Sequence, residues 1–321
     1  MKTKNKFENL KKIYIINTNM TTNLTTIYLG SRGQDFKNMI VGLLKRGNLK
    51  AKYIDLLTDE KSLLAYGQAF TAVTADKVDN YERFEQIGDV TANKFIVWYA
   101  YRRFPQLDCT DGVKVVARLR INYGAKQFFA PLGEQLGFWP FISAAEDGVE
   151  RNMYYRNRNK KDLLEDCIEA FIGCTEYLLD KAFRPGVGYG IVYDILASIF
   201  DEIDMSLRYE DLYDAKTRLK ETFDSYKNLG GWHFLDGREE VGEGYSMAKS
   251  VLYQMPQNTP QQPIKNAQGD LPQRGWVPIG TGVSAKKSDA QQLAAEQGIN
   301  TLKKMGYFKA APEEYSRFCS V

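Results

Sequence analysis

From Asp35 onward, apolar residues recur at helical spacing. Phe36, Met39, Ile40, Leu43 and Leu44 repeat every three or four positions, and Leu63-Leu64 opens a second such stretch. A long apolar helix is expected over residues 80–104, ended by Pro105, because a proline pushes the residue before it out of the helical region. The same period returns over 113–136, 161–180 and 191–209, so residues 36–209 read as all-α. Residues 1–35 are rich in Lys, Asn and Thr and hold one strand-like run, Ile13-Tyr14-Ile15-Ile16. They are expected to form an N-terminal arm or an added strand.

After Tyr209 the pattern changes. A short amphipathic helix is expected over 211–228, with Leu212, Leu219 and Phe223 inward. Strand-like runs follow at 231–235, 244–255 and 275–281, and then an Ala- and Gln-rich helix at 286–305. This α-β-β-β-α order predicts a compact α+β module over residues 211–306, with a tail at 307–321. Residues 254–275, between the second and third strands, hold four of the ten prolines (Pro256, Pro260, Pro263, Pro272). They read as a loop insert rather than packed structure. No internal repeat is visible.

Two groups of carboxylates interrupt the apolar helical pattern about eighty residues apart. The first is Asn80-Tyr81-Glu82-Arg83-Phe84-Glu85-Gln86-Ile87-Gly88-Asp89, where Glu82, Glu85 and Asp89 fall at i, i+3 and i+7 on one stripe. The second runs from Asp162 to Gly173, with Asp166 and Glu169 one turn apart. A solvated acidic face is the plain alternative. Here, however, the acids sit among Phe84, Ile87, Cys167, Ile168, Ala170, Phe171 and Ile172, and each group has a glycine beside it. Carboxylate oxygens brought together from two helices are hard ligands suited to Mg²⁺ or Mn²⁺. Two such ions can drive hydrolysis of a phosphodiester, so metal-dependent cleavage of a nucleic-acid backbone is the chemistry these groups point to.

Composition narrows the choice. With 44% hydrophobic and 13% aromatic residues, the 321-residue chain is expected to fold, and it is long enough for two domains. Net charge is only +3, but it is unevenly spread. Residues 1–80 carry 13 Lys/Arg against 7 Asp/Glu, and residues 151–210 carry 8 against 11. A basic end facing a polyanion and an acidic middle around a metal fit that distribution. Cys109, Cys167, Cys174 and Cys319 show no metal-binding spacing and read as reduced thiols. His233, the single histidine, excludes a His-based zinc site and reads as an ordinary strand residue. No run of 18 apolar residues exists and the basic N-terminus lacks an apolar core, so an intracellular, cytoplasmic protein is expected.

Glu82-Arg83-Phe84-Glu85-Gln86-Ile87-Gly88-Asp89 resembles the signature helix of the ribonuclease III family, and Tyr101-Arg102-Arg103-Phe104-Pro105 falls where that family ends the helix. Asp166-Cys167-Ile168-Glu169-Ala170-Phe171-Ile172-Gly173 is similar to its second metal-binding segment. Asp214-Ala215-Lys216-Thr217-Arg218-Leu219-Lys220 resembles the first helix of the double-stranded RNA-binding domain that commonly follows. Gly280-Thr281-Gly282, Lys286-Lys287 and the alanines Ala290, Ala294 and Ala295 resemble its last strand and helix. The likeness covers about residues 60–306.

The resemblance implies an all-α endonuclease domain at 36–209 that dimerises and cuts both strands of an RNA duplex, leaving short 3′ overhangs. Glu85, Asp89, Asp166 and Glu169 would hold Mg²⁺, or Mn²⁺ in its place, and Glu82 would contact RNA or tune the site. In the second domain, Thr217 and Lys220 would face the minor groove. Lys286 and Lys287, at a helix N-terminus, would meet phosphate. Lys160 and Lys161, ending the basic run at 151–161, are further phosphate candidates. Gln86 stands where the family usually places an apolar plug for the partner subunit, and residues 237–244 are acidic where it has a proline and histidine. The alternative reading is a non-catalytic protein that binds and sequesters duplex RNA. A metal-dependent helical hydrolase of nucleotides is a third reading, but it leaves the C-terminal module unexplained.

Overall fold

The computed structural model describes residues 26–146, 155–240, 246–266 and 269–318. The run Ile13–Ile16, residues 151–154 of the basic run, most of the acidic loop after Glu240 and Cys319 lie outside these residues. Contacts divide the chain into two compact units, Met1–Pro105 with Leu119–Asp204, and Gln106–Arg118 with Met205–Val321.

The first unit is helical apart from one small sheet. Strand β1 (Thr26–Tyr28) leads to α1 (Gln34–Arg46), α2 (Ala51–Leu57), α3 (Glu60–Ala69) and the long α4 (Glu82–Arg103). Then come α5 (Gly112–Tyr123), whose first turns belong to the second unit, α6 (Lys126–Gln135), β2 (Ala144–Glu146), α7 (Tyr155–Arg158), α8 (Lys160–Ala182) and α9 (Val187–Phe200). The pairing of β1 with β2, antiparallel with Ile27 opposite Ala145, departs from the all-α expectation. Two other departures concern where helices stop. The stretch 113–136 is two helices broken at Gly124 and Ala125, and the stretch 191–209 ends its helix at Phe200. Arg103 closes that end by donating to the carbonyls of Phe200 and Ile203 at 2.7 and 2.8 Å.

Helix α8 is the centre of this unit. Leu163, Leu164, Cys167, Ile168, Ala170, Phe171, Ile172, Cys174 and Leu179 bury almost its whole circumference. Against it lies α4, which buries Phe84, Gly88, Thr91, Ala92, Phe95, Ile96, Tyr99 and Ala100 at spacings of three and four.

In the second unit, α10 (Tyr209–Leu212) and α11 (Ala215–Ser225) precede β3 (Gly231–Glu240), β4 (Ser246–Met255), the short pair β5 (Ile264–Asn266) and β6 (Gly269–Leu271), β7 (Val277–Ser284), α12 (Lys287–Lys304) and α13 (Glu313–Ser316). Asp214 caps α11 by accepting from the Thr217 N–H at 3.1 Å, which explains why the expected single helix over 211–228 begins afresh there. The sheet order is β3-β4-β7, antiparallel throughout. Leu219, Phe223, Leu252, Ile279, Ala294, Ala295 and Leu302 form its core. Small residues set the helix–sheet distance. A Cβ on Gly280 would lie 2.1 Å from the Ala294 carbonyl oxygen, and one on Gly282 the same distance from that of Ala290.

The insert at 254–275 is not the unpacked excursion its prolines indicated. Residues 264–266 and 269–271 form an antiparallel pair. The buried Trp276 donates its indole N–H to the Pro260 carbonyl at 2.7 Å, and Gln273 bonds the Gln262 carbonyl at 3.0 Å. His233 lies in β3 as expected, with its ring 5.5 Å from that of Trp276.

Candidate active site at the contact of two helices

The acids of the two sequence groups are brought together by the contact of α4 with α8. That contact has no room for side chains at its centre. A Cβ on Gly88 would fall 1.7 Å from the Glu169 carbonyl oxygen. One on Gly173 would fall 2.0 Å from the Phe84 carbonyl oxygen and 2.7 Å from the Gly88 nitrogen. The two glycines therefore let the backbones touch, one helix turn from the acids on each side. Glu85 and Asp89 flank Gly88, and Asp166 and Glu169 lie about two turns and one turn before Gly173.

Helix α4 starts where it must for this register. Asn80 Oδ1 accepts from the Glu82 N–H at 3.1 Å and the Tyr81 N–H bonds the Thr71 carbonyl at 2.9 Å. The Tyr81 hydroxyl then reaches across to α8 and donates to Asp166 Oδ2 at 2.6 Å. On the outer side Asn93 Nδ2 holds Asp89, at 2.7 Å to Oδ1 and 2.9 Å to its carbonyl. Tyr81 and Asn93 were not singled out in the sequence. A hydroxyl-bearing aromatic just before the acids, and an amide four residues after Asp89, are the signals that mark them.

Among the described residues, the four central acids form no ion pair, although the charge of Lys126 partly offsets that of Asp166. Glu169 is 7% exposed in the middle of the most buried helix. Burial, with Asp89, Glu165, Glu85 and Asp166 around it, pushes its carboxyl up to about 8. Burial likewise raises Glu85, helped by Asp166, Glu82, Glu165 and Asp89, to about 7. Asp166 is also raised, mainly by desolvation, while the Tyr81 hydrogen bond pulls it back. The cation beside the cluster, Lys126, pairs with Asp162 and with Glu165 Oε2 at 3.2 Å, not with the four central acids.

This donor set fits a hard divalent cation. It consists of carboxylate oxygens from two rigid helices, and their mutual repulsion is relieved by positive charge. Among the described residues, no three His, Cys, Asp or Glu side chains already close into a metal-binding arrangement.

The remaining sequence candidates fall into two kinds. Glu82 and Gln86 are exposed on α4, with Glu82 on the stripe of the acids. Lys161 is exposed at the start of α8, but Lys160 is held by Glu134 Oε1 at 2.5 Å. Arg156, from the same basic run, is buried and unavailable to phosphate. Its guanidinium is sandwiched 3.8 and 3.7 Å from the ring centroids of Tyr28 and Trp139, and it donates to the carbonyls of Ile142 and Trp139. In the second unit Lys220 and Lys286 are exposed and form no ion pair among the described residues. Thr217 Oγ1 donates to Asp214 Oδ2 at 2.7 Å, and Lys287 Nζ lies 2.8 Å from Asp236 Oδ2.

Among the described residues, no helix is long and apolar enough to cross a membrane. Residues 82–178, which span both acidic groups, match the family model of the ribonuclease III domain. The chain is 39% identical over 305 residues to a putative ribonuclease 3 of Invertebrate iridescent virus 6, covering 91% of this chain and 96% of that protein. It is 34% identical over 274 residues to a putative ribonuclease 3 of Frog virus 3 (isolate Goorha), covering 84% of this chain and 63% of that protein. It is 28% identical over 258 residues to ribonuclease 3 of the bacterium Desulfotalea psychrophila, covering 79% of this chain and 90% of that one. With this likeness running through both units and over the touching helices that carry the acids, the chain belongs to the ribonuclease III family.

Proposed function

We propose that this protein is a Mg²⁺-dependent endoribonuclease that hydrolyses phosphodiester bonds in double-stranded RNA. The observation that carries the reading is the close contact of α4 and α8 at Gly88 and Gly173, on the helices that carry Glu85, Asp89, Asp166 and Glu169, none of which forms an ion pair among the described residues. An acid pair buried against its own repulsion is costly to the fold, and binding a divalent ion offsets that cost. Mg²⁺ held by these four residues, or Mn²⁺ in its place, would supply a more acidic water and positive charge at the scissile phosphate. The chain's own residues keep the ligands in place: Tyr81 orients Asp166, Asn93 orients Asp89, and the two glycines set the distance between the helices. Glu82, exposed at the start of the stripe, is placed to meet RNA or to tune Glu85.

The second unit supports the choice of substrate. The α11-β3-β4-β7-α12 order, with β5 and β6 inserted between β4 and β7, together with exposed Lys220 on α11 and Lys286 at the head of α12, supports reading the unit as a double-stranded RNA-binding domain, and duplex RNA is read by shape through its minor groove and phosphates. Two copies of the chain, meeting through the α4 face that bears Gln86, would cut opposite strands and leave short 3′ overhangs, in the cytoplasm where viral or cellular duplex RNA is met. The test is cleavage of long duplex RNA with Mg²⁺, with product ends mapped. Asp89→Asn and Glu169→Gln are each expected to lower the rate by at least ~100-fold. Undiminished cleavage by either refutes the assignment. Bound but uncut RNA with the unaltered protein makes it an RNA-sequestering protein instead.

A further inference from the structure

In the second unit Lys220 and Lys286 form no ion pair among the described residues, but Lys287 is paired within the fold. Lys287, the first residue of α12, places Nζ 2.8 Å from Asp236 Oδ2 on β3. Gln291, one turn further along α12, donates to both oxygens of the same carboxylate, at 3.1 and 3.0 Å. Through its own oxygen Gln291 accepts from Lys216 Nζ of α11 at 2.8 Å. The side chains Lys216, Gln291, Asp236 and Lys287 thus form one chain that ties α11, β3 and α12, with a single carboxylate between two lysines.

We infer that Asp236 is an internal competitor of RNA phosphate, and that by occupying Lys287 it sets the affinity of this unit for duplex RNA. The inference rests on the reading of the second unit as an RNA-binding domain. A carboxylate and a phosphodiester oxygen offer an ammonium group the same hard anionic partner. The head of the 18-residue α12 favours an anion, and Asp289 already lies in its first turn, so the contacts of Asp236 there are to the side chains of Lys287 and Gln291 rather than to the helix N–H groups. Lys287 remains 65% exposed in its side chain, so a phosphate can reach it, whereas the Asp236 side chain is 22% exposed and stays in place. A phosphate that engages Lys287 must displace this carboxylate or share the lysine with it, and in either case meets its charge. Asp236 therefore lowers affinity and blunts the response to salt.

The experiment is binding of a fluorescent duplex RNA of about 20 base pairs, long enough for one such domain. Full-length protein is used in EDTA so that no cleavage intervenes. Asp236→Asn preserves the shape and the bond to Gln291 while removing the charge, and Asp236→Ser serves as a second variant should the first fold poorly. Either is expected to tighten binding about 3- to 10-fold at moderate salt. The slope of log affinity against log salt should steepen by about 0.7–0.9, one added phosphate contact. The gain should vanish when Lys287→Ala is combined with either substitution. Unchanged or weaker binding by the Asp236 variants, or a gain that persists without Lys287, overturns the inference while leaving the RNA-binding reading intact. Failure of the unaltered protein to bind duplex RNA at low salt overturns both.

Discussion

At the contact of α4 and α8, Glu82, Glu85, Asp89, Asp166 and Glu169 crowd together, and the nearby Lys126 pairs with Asp162 and Glu165. At the head of α12, Lys287 and Lys216 are arranged around Asp236 and Gln291, so charge is balanced inside the fold. The first arrangement stores repulsion that an added cation would relieve. The second has already paired one group that a polyanion would use, Lys287. On the proposed function, the first site would gain from its ligand, and the second would give up a contact to accept one. Charge counts cannot distinguish them, since both clusters lie in a chain whose net charge is only +3.

The largest effect expected from breaking the first arrangement is steric. Gly88→Ala places a methyl group against the Glu169 backbone, which no side-chain rotation can clear. It should cost about 3 kcal/mol or more in urea unfolding, the upper range for overpacking. A loss below ~1 kcal/mol would mean that the helices separate easily and that the glycine contact does not set the site.

Next comes the pH response of the metal-free protein. Glu85 and Glu169 titrate near 7 and 8 in the fold, above their ordinary 4.5, so the native state binds protons more tightly than the unfolded chain. Stability must therefore rise as pH falls from about 8 towards 5, by on the order of 2 kcal/mol after solvent screening is allowed for. Saturating Mg²⁺ should flatten the slope. Melting curves across this range, with and without Mg²⁺, check both statements, and a rise in stability with pH would contradict them.

A smaller effect has an unusual sign. Glu169→Gln should stabilise the metal-free protein at pH 8 by roughly 1 kcal/mol, because it removes a buried like charge, even as it abolishes cleavage. A destabilised variant would show that Glu169 is already paired by something the carboxylate needs. The smallest effect concerns the balanced site. Lys287→Ala should weaken duplex binding by less than about 2-fold, and Lys220→Ala or Lys286→Ala by more, because only Lys287 starts in an ion pair. Anisotropy titrations at a fixed salt concentration rank the three.

Much of the first site was legible before folding was considered. Helical period placed Glu82, Glu85 and Asp89 on one stripe and Asp166 and Glu169 on another, and both stripes occur on the helices observed. The glycine beside each group was visible as well, although not its meeting with the other. Tyr81 and Asn93 were less legible, since each acts through one hydrogen bond that needs the neighbouring helix or turn in place. The break at Gly124 and Ala125 and the antiparallel pairing of 264–266 with 269–271 escape the pattern for the same kind of reason. A continuous apolar period conceals a turn, and a proline count says nothing about the hydrogen bonds, such as that from Trp276 to Pro260, that order a segment.

The sequence by itself determined most of the long helices and the three strands of the main sheet, which residue types could do chemistry, and which face of α4 carries the acids. These follow from backbone periodicity, which acts over a few residues. Only the tertiary structure decided that Gly88 meets Glu169 and Gly173 meets Phe84, that Asp236 holds Lys287, and that Arg156 lies between Tyr28 and Trp139. Each of those facts joins residues that are distant along the chain or belong to different elements. Packing at near-crystalline density, rather than local pattern, chooses which of the possible neighbours touch.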